Sequence, residues 1–568
     1  MSIVDRLAAA RGDASADLVL RNANLVNVIS GEIYPTDIVI HDRHVVALGA
    51  GYSGRQEVDL TGKFVAPGLI DAHVHIESSL VTPAEFARAV LPHGVTTVIT
   101  DPHEIANVLG LEGMRYMLER AKHGLLNMFV MASSCVPATD METSGARLEA
   151  EDLAQLVDHP WVLGLAELMN YPGVALGDEG MLDKIALFEH LALDGHAPDM
   201  SGLMLNAYVA AGVQSEHECT TLEEAREKLR LGLTIFIREG TTTRNLKPLL
   251  PLVTEANHGA ICFCTDDRIP ADLIDHGSID HMIRIAIAEG IDPLLAIRMG
   301  SSNTARHFGL KKYGAIAPGK YADLLVVEDL RDFRPEQVYR GGILVAENGK
   351  MTAESGPPRR VDLRSTVNLS SAAPDFAVPA ESKIIRVIAT ITDQVVTERL
   401  VADAKIVDGS VVSDVERDIL KFAMLERHRA SGDIGLAFIK GFGLKRGAIA
   451  GTVAHDHHNL AVIGADDISM GAAVSAIAEM GGGLVVADGQ RVLASLPLPI
   501  AGLLSDLPIE VVRARYDRMI AAAHELGNRM SDPFMVMSFM GLEVIPKLKL
   551  TDQGLVNVEQ FKLVDLFV

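Results

Sequence analysis

The sequence predicts an α/β fold: a (β/α)8 TIM-like barrel, a β-sandwich-like domain formed from both of its flanks, and a C-terminal α+β domain. Three observations predict it. Eight short apolar runs (68–75, 95–101, 128–134, 161–167, 192–196, 213–217, 233–239 and 260–266) alternate with longer helix-like stretches, the pattern of βα units on a parallel sheet. The block that holds them, 67–312, is close to the roughly 250 residues typical of such a barrel. A strand-rich texture precedes the block and returns after it.

The elements follow in order. "DLVLRNANLVNVISGEIYPTDIVIHDRHVVALG" sets β-branched runs between Asn, Gly and Asp, which reads as an antiparallel β unit. "GAIAPGKYADLLVVEDL" and "QVYRGGILVAENGK" repeat that texture after residue 312, so 1–66 and 313–374 are expected to form one flanking domain. Within the barrel, "TPAE" (Thr82–Glu85) has the form of a capping box with Pro at the first helical position. The fifth and sixth strands have the shortest and most polar runs. A Pro/Ala/Ser-rich passage, "STVNLSSAAPDFAVPAES", is expected to be a linker near residue 375. Beyond it, 375–568 carries its own strands, such as "KIIRVIATI" and "GGGLVVADG".

A chain of 568 residues is too long for one core, and 48% hydrophobic with 22% charged residues suits a soluble globular protein. The net charge of −24 repels phosphate backbones and argues against nucleic acid as substrate. No apolar run reaches the roughly 20 residues of a membrane helix. The first residues lack a basic region followed by an apolar core, so no secretory signal is expected. Cys135, Cys219, Cys262 and Cys264 are too few and too uneven for a disulfide scaffold, which fits a reducing cytoplasm. The expected partners are a small-molecule substrate and further copies of the chain in a homo-oligomer.

Catalytic groups of such barrels lie at the C-terminal ends of the strands. Strand one ends in His73 and His75, and strand two runs into Asp101, His103 and Glu104. Strand four carries Glu167, strand five ends at His196, strand six at His217 and strand eight at Asp266. Two solvated histidines at a polar strand end would explain "HVH" alone, but four histidines and two carboxylates at one face form a ligand set. His73, His75 and Asp266 can hold one metal and His196 and His217 a second, with Glu167 as the bridge. Two ions can share a hydroxide and deliver it at neutral pH, while Asp266 takes its proton and passes it to the leaving group.

"PGLIDAHVHIESS", "GVTTVITDPHEIANV", the solitary Glu167, "QSEHE", "CTDDR" and "APGKYADLLVV" resemble the amidohydrolase superfamily. The "HVHIESS" and "DPHEIANV" extensions, and "GTVAHDHHNLAVIGAD" near the C-terminus, resemble its adenine deaminase branch over essentially the whole chain. Many relatives bridge their metals with a carbamylated lysine. Residues 161–168 contain no Lys, and Glu167 stands in its place. The resemblance implies hydrolytic deamination of adenine to hypoxanthine and ammonia, with two divalent metal ions per chain. It favours manganese or iron, with zinc as the other option for these donors. Glu104 or His103 is expected to protonate the ring. Asp101, Arg238, Glu239, His455 and His458 are expected substrate contacts, the middle pair because "REGTTTRN" follows strand seven.

Two other functions compete: a hydantoinase- or dihydropyrimidinase-like cyclic amide hydrolase of the same superfamily, and a barrel kept only as a non-catalytic module. A full ligand set speaks against the second. The H-x-E of "HIE" has no P-C-x-x-C to complete the other deaminase motif, and neither "HEIAN" nor "HECTT" completes H-E-x-x-H. There is no P-loop, and "MGGGLVVADG" reads as a turn between a helix and a strand. "HDHHN" (His455–Asn459) fits either a solvated turn or a group leaning over the barrel mouth.

Overall fold

The computed structural model describes residues 3–354, 362–371, 373–391 and 394–568. Part of the expected second flank (355–361) and Ala372 of the expected linker lie outside the described residues. In the first flank, β1 (Ala16–Asn27), β2 (Glu32–His41) and β3 (His44–Leu48) pair antiparallel, and β4 (Gly54–Asp59) and β5 (Phe64–Pro67) run parallel to β1. Asp42 and Arg43, with φ of 47° and 66°, make the two-residue turn between β2 and β3. Positive φ at both positions matches the strand twist.

The barrel strands are β6 (Leu69–His75), β7 (Val95–Thr100), β8 (Asn127–Ala132), β9 (Val162–Leu168), β10 (Ala192–Gly195), β11 (Ser215–Glu216), β12 (Thr234–Arg238) and β13 (Ile261–Cys264), followed by a two-residue β14 (Asp266–Asp267). Strands β6 to β10 pair in parallel sequence, as do β11 to β13. Between these arcs the short β10 and β11 share no ladder, and the Gln214 amide donates to the Leu193 carbonyl at 2.9 Å. β14 closes the ring by pairing parallel to β6, Asp266 opposite Val74. The Thr265 amide (3.1 Å) and hydroxyl (2.5 Å) donate to the buried Asp71 carboxylate of β6 across this joint. Alternation fills the inside. Ile70, Ile99, Phe129, Ala166, Phe236, Cys262 and Cys264 pack together in the barrel, while Ile261 and Phe263 face the outer helices.

The second flank supplies β15 (Leu324–Val327), β16 (Pro335–Arg340), β17 (Ile343–Glu347) and β18 (Lys350–Met351). β15 pairs antiparallel with β5, so strands from both sides of the barrel share one nine-stranded sheet. Its far edge curls back, with the Val45 amide donating to the Lys320 carbonyl, around a core of Leu18, Leu25, Ile38, Val65, Leu324 and Tyr339.

The C-terminal region builds an eight-stranded sheet. One face carries the helix Asp467–Met480, which stops at Gly481 with φ 72° before the strand Gly483–Asp488. The other face, through Phe422, Met424, Ile449 and Ile463, joins the same apolar cluster as the barrel's outer layer. Thr82 and Pro83 do open the helix Pro83–Val90, but no capping box forms. The Thr82 side chain makes no cap bond, and Glu85 instead accepts from the Ile509 amide and pairs with Arg88. No helix among the described residues is long and apolar enough to cross a membrane.

Away from the barrel mouth, Asp280 is 1% exposed and accepts from His93 Nδ1 (3.0 Å), the Ser278 amide (2.8 Å) and Arg284 (2.5 Å). Burial would raise its pKa, but His93 and Arg284 outweigh it and hold the group near 2. A lowered carboxylate stabilises the fold above the unfolded-state pKa and loses that contribution as pH falls toward its folded value. Asp280→Asn is expected to cost about 2 kcal/mol near neutral pH. The check is thermal melting from pH 7 to pH 2. The variant should melt lower at pH 7, and the gap should close below about pH 4.

Candidate active site

The side chains at the ends of β6, β9, β13 and the short strands converge. Glu167 stands between two histidine pairs. Its Oε1 lies 3.2 Å from His75 Nε2 and 3.7 Å from His73 Nε2, and its Oε2 lies 2.6 Å from His196 Nδ1 and 3.2 Å from His217 Nε2. Asp266 Oδ1 is 3.0 Å from His75 Nε2 and 3.7 Å from His73 Nε2. The two Nε2 atoms of His73 and His75 face each other at 3.1 Å. A register shift in β6 between Asp71 and Val74 lies beside this pair, the kind of bulge that re-aims side chains next to a site. His75 Nδ1 donates to the Asp101 carbonyl at 2.9 Å, which turns Nε2 inward as a lone pair.

Every one of these groups is buried. Burial alone would raise the Glu167 pKa, but His217 and His196 overcome it and hold the carboxyl well below the ordinary range. Asp266 is likewise held down, against burial, by Arg238 and His75. Arg238 grips Asp266 Oδ2 at 2.8 Å and makes a two-pronged ion pair with Glu218.

His103 stands beside this group, its Nδ1 2.9 Å from Asp101 Oδ2 and 3.4 Å from Glu167 Oε1. Glu104 reaches the other way, to the C-terminal region. Its two oxygens take the ring nitrogens His455 Nδ1 and His458 Nε2 in close contacts. Burial would raise the Glu104 pKa, but His455, His458 and His103 hold it well below the carboxylate range.

A cavity of about 50 Å³ is lined by His75, His103, Glu104, Glu167, His196, His217, Arg238, Asp266 and His455. Met169, Val395, Phe539, Leu542 and Ile545 supply its apolar wall. It adjoins a larger cavity of about 970 Å³ lined by Thr241–Asn245 and by residues of the C-terminal region.

Four expectations from the sequence need correction. The Asp101 carboxylate is spent on His103 and Ser133 and does not line the cavity. Glu239 turns away to accept from the Leu246 amide. His458 does not reach the cavity either: Nε2 meets Glu104, and Nδ1 accepts from the Ala454 amide. Glu104, as an acceptor from two histidines, is poorly placed to be the proton donor. Sequence reasoning missed Glu218, Asp267 and Asp456, all cavity residues. Each sits one place after an expected site residue (His217, Asp266 and His455), and Asp456 lies inside the "HDHHN" stretch, the only signal available. The apolar wall from Phe539 to Ile545 had none.

The amidohydrolase family model matches residues 64–345, and the adenine deaminase C-terminal domain model matches 394–562. A protein named adenine deaminase from Desulfatibacillum aliphaticivorans is 51% identical over 564 residues, covering 99% of both chains. The chain belongs to the adenine deaminase family. Another relative of that name, from Kosmotoga olearia, is 47% identical over 575 residues, covering 100% of this chain and 99% of its own. A crystal structure of an adenine deaminase, 19% identical, covers 59% of this chain and 100% of its own with a TM-score of 0.45.

Amidohydrolase-family enzymes use a divalent metal, and the residues of this family member fit one. His73, His75 and Asp266, and likewise His73, Glu167 and His217, bring ligand atoms within 4.8 Å of one another. The facing Nε2 atoms of His73 and His75 can share a proton or turn both lone pairs to a metal ion, and imidazole with carboxylate is a donor set that binds such ions. Nitrogen and carboxylate donors suit Zn, Mn or Fe alike.

Glu104 also ties the barrel to the C-terminal region. Removing one partner of a buried ionic cluster leaves the others uncompensated, so Glu104→Gln is expected to cost on the order of 3 kcal/mol. The measurement is calorimetric melting of the full chain. An unchanged profile would show that the Glu104–His455–His458 contact contributes nothing to holding the two parts together.

Proposed function

We propose that the chain hydrolyses free adenine to hypoxanthine and ammonia in this cavity, with two divalent ions, manganese or iron, as a cytoplasmic homo-oligomer. The observation that carries the reading is Glu167, one carboxylate set between two pairs of buried histidines. The relatives named adenine deaminase, matched end to end, support adenine as the substrate. Four free, buried cysteines suit a reducing compartment. Leu176 and Leu203, 76% and 89% exposed, offer apolar surface for self-association.

His73, His75 and Asp266 would hold one ion and His196 and His217 the other, with Glu167 between them. A divalent ion in such a site polarises the substrate and makes water a competent nucleophile at neutral pH. The remaining work falls to the chain. Arg238 holds Oδ2 of Asp266, which fixes Oδ1 toward the histidines as the acceptor for the proton of the attacking water. Asp266 then hands that proton to the departing amine, so that water and adenine become hypoxanthine and ammonia. Burial alone would discharge His103, but Asp101, Glu104 and Asp456 favour its imidazolium form. With Nδ1 held by Asp101, its Nε2–H can give a proton to the purine ring as carbon six becomes tetrahedral and regain one from the carbon-six hydroxyl as ammonia leaves. The apolar wall packs the purine face and keeps bulk water out.

Three measurements test this. Elemental analysis of manganese-reconstituted protein should give two ions per chain, and His73→Ala should lose one of them with most of the activity. Asp266→Asn should retain much of the metal and lose at least about 10²-fold in turnover, because an amide cannot accept the proton. With adenine and adenosine at equal concentration, hypoxanthine should form and inosine should not. Inosine at a comparable rate would refute the choice of the free base and leave the metal chemistry standing.

A further inference from the structure

Asp456 belongs to the C-terminal region, is 2% exposed and lines the cavity beside the barrel's histidines. Its Oδ1 makes a long ion-pair contact with His103 Nε2 at 3.6 Å, and its Oδ2 has no hydrogen-bond partner among the described residues. The neighbouring His455 is in the same condition: Nδ1 is taken by Glu104, the ring stacks on Phe539 at 4.5 Å, and Nε2 is buried and unpartnered. Buried polar atoms of folded proteins are almost always satisfied, and the exceptions call for an explanation. Among the residues lining this cavity Thr243 Oγ1 is a third such atom, and the Asp456 and His455 atoms lie side by side on the wall supplied by the C-terminal region.

A carboxylate oxygen can only accept a hydrogen bond. Free adenine carries one N–H on its five-membered ring, at N9 or N7. Once N9 carries a substituent, no ring N–H remains at either position. We propose that Asp456 accepts the ring N–H of the free base and is thereby the residue that selects adenine over N9-substituted purines. His455 Nε2 offers the second polar contact on the same wall. The inference rests on the reading of the substrate as a purine base. It assigns the choice of free base to a single side chain from outside the barrel.

The test is calorimetric binding of adenine and of 9-methyladenine to manganese-loaded full-length protein in which Asp266→Asn slows turnover during the titration, with Asp456 as in wild type against Asp456→Ala. The form that keeps Asp456 should prefer adenine. A lost hydrogen bond to a charged group weakens binding roughly 10- to 100-fold, so the variant should bind adenine that much more weakly. Its affinity for 9-methyladenine should be unchanged or improved, and the preference should collapse. A merely structural role would weaken both ligands alike. An undiminished preference in the variant, or none in the form that keeps Asp456, would overturn the proposal. If Asp456→Ala does not fold, Asp456→Asn keeps the shape and should still cut the preference several-fold; full retention would be equally fatal. Hypoxanthine formation by wild type is followed separately. Its absence would refute the deaminase reading, while the binding ratio would still decide the role of Asp456.

Discussion

The structure depends on keeping a dense group of imidazoles and carboxylates dry. His73, His75, His103, His196 and His217 surround Glu167 and Asp266, and all are buried. Polar groups taken out of water need compensating partners, and here the compensation is mutual. Glu167 serves two histidine pairs at once, while Arg238 balances Asp266 and Glu218 together. The arrangement holds only if the strand ends reach the same level. Strand β14 and the Thr265–Asp71 contact therefore matter to the site as much as to the barrel. They bring the end of the last strand against the first, and with it Asp266 against His75.

The C-terminal region completes the same enclosure from above. Glu104 leaves the barrel to meet His455 and His458, and Phe539, Leu542 and Ile545 close the wall that the barrel leaves open. The lining of the cavity thus comes from both parts of the chain. Closure of this kind excludes water from the reacting centre and strengthens every electrostatic contact inside it.

Periodicity made the barrel legible, because an inward–outward alternation bounded by turns survives in any single strand. The eight runs coincide with β6 to β13 to within a few residues, and the weakest ones, before His196 and His217, became the short β10 and β11. Ligand-type residues at strand ends were legible for the same reason: a strand end fixes where a side chain points. The errors came where local sequence does not fix a partner. Asp101, Glu239 and His458 have the right chemistry near the right place, yet each is spent on a neighbour. Thr82 begins its helix without capping it, and Glu85, the other half of the box, is drawn to the Ile509 amide from more than 400 residues away. Asp456 was legible only as part of "HDHHN" and Phe539 not at all, because their place in the cavity is set by how the second region docks.

The docking surface explains how the enclosure can be tight and still admit a substrate. Apolar contact along the outer barrel layer supplies non-directional attachment. The polar ties set its register: Thr139 to Glu543, the Thr143 amide to Asp552, Arg513 to Asp275, and Glu104 to its two histidines. The same seam also holds the larger cavity, lined by Thr241–Asn245 on the barrel side and by Val395, Ser531 and Pro546 on the other. It shares Glu218, Arg238, Thr243, Val395 and Ile545 with the inner cavity. The path to the reacting centre therefore runs along the seam between the two parts.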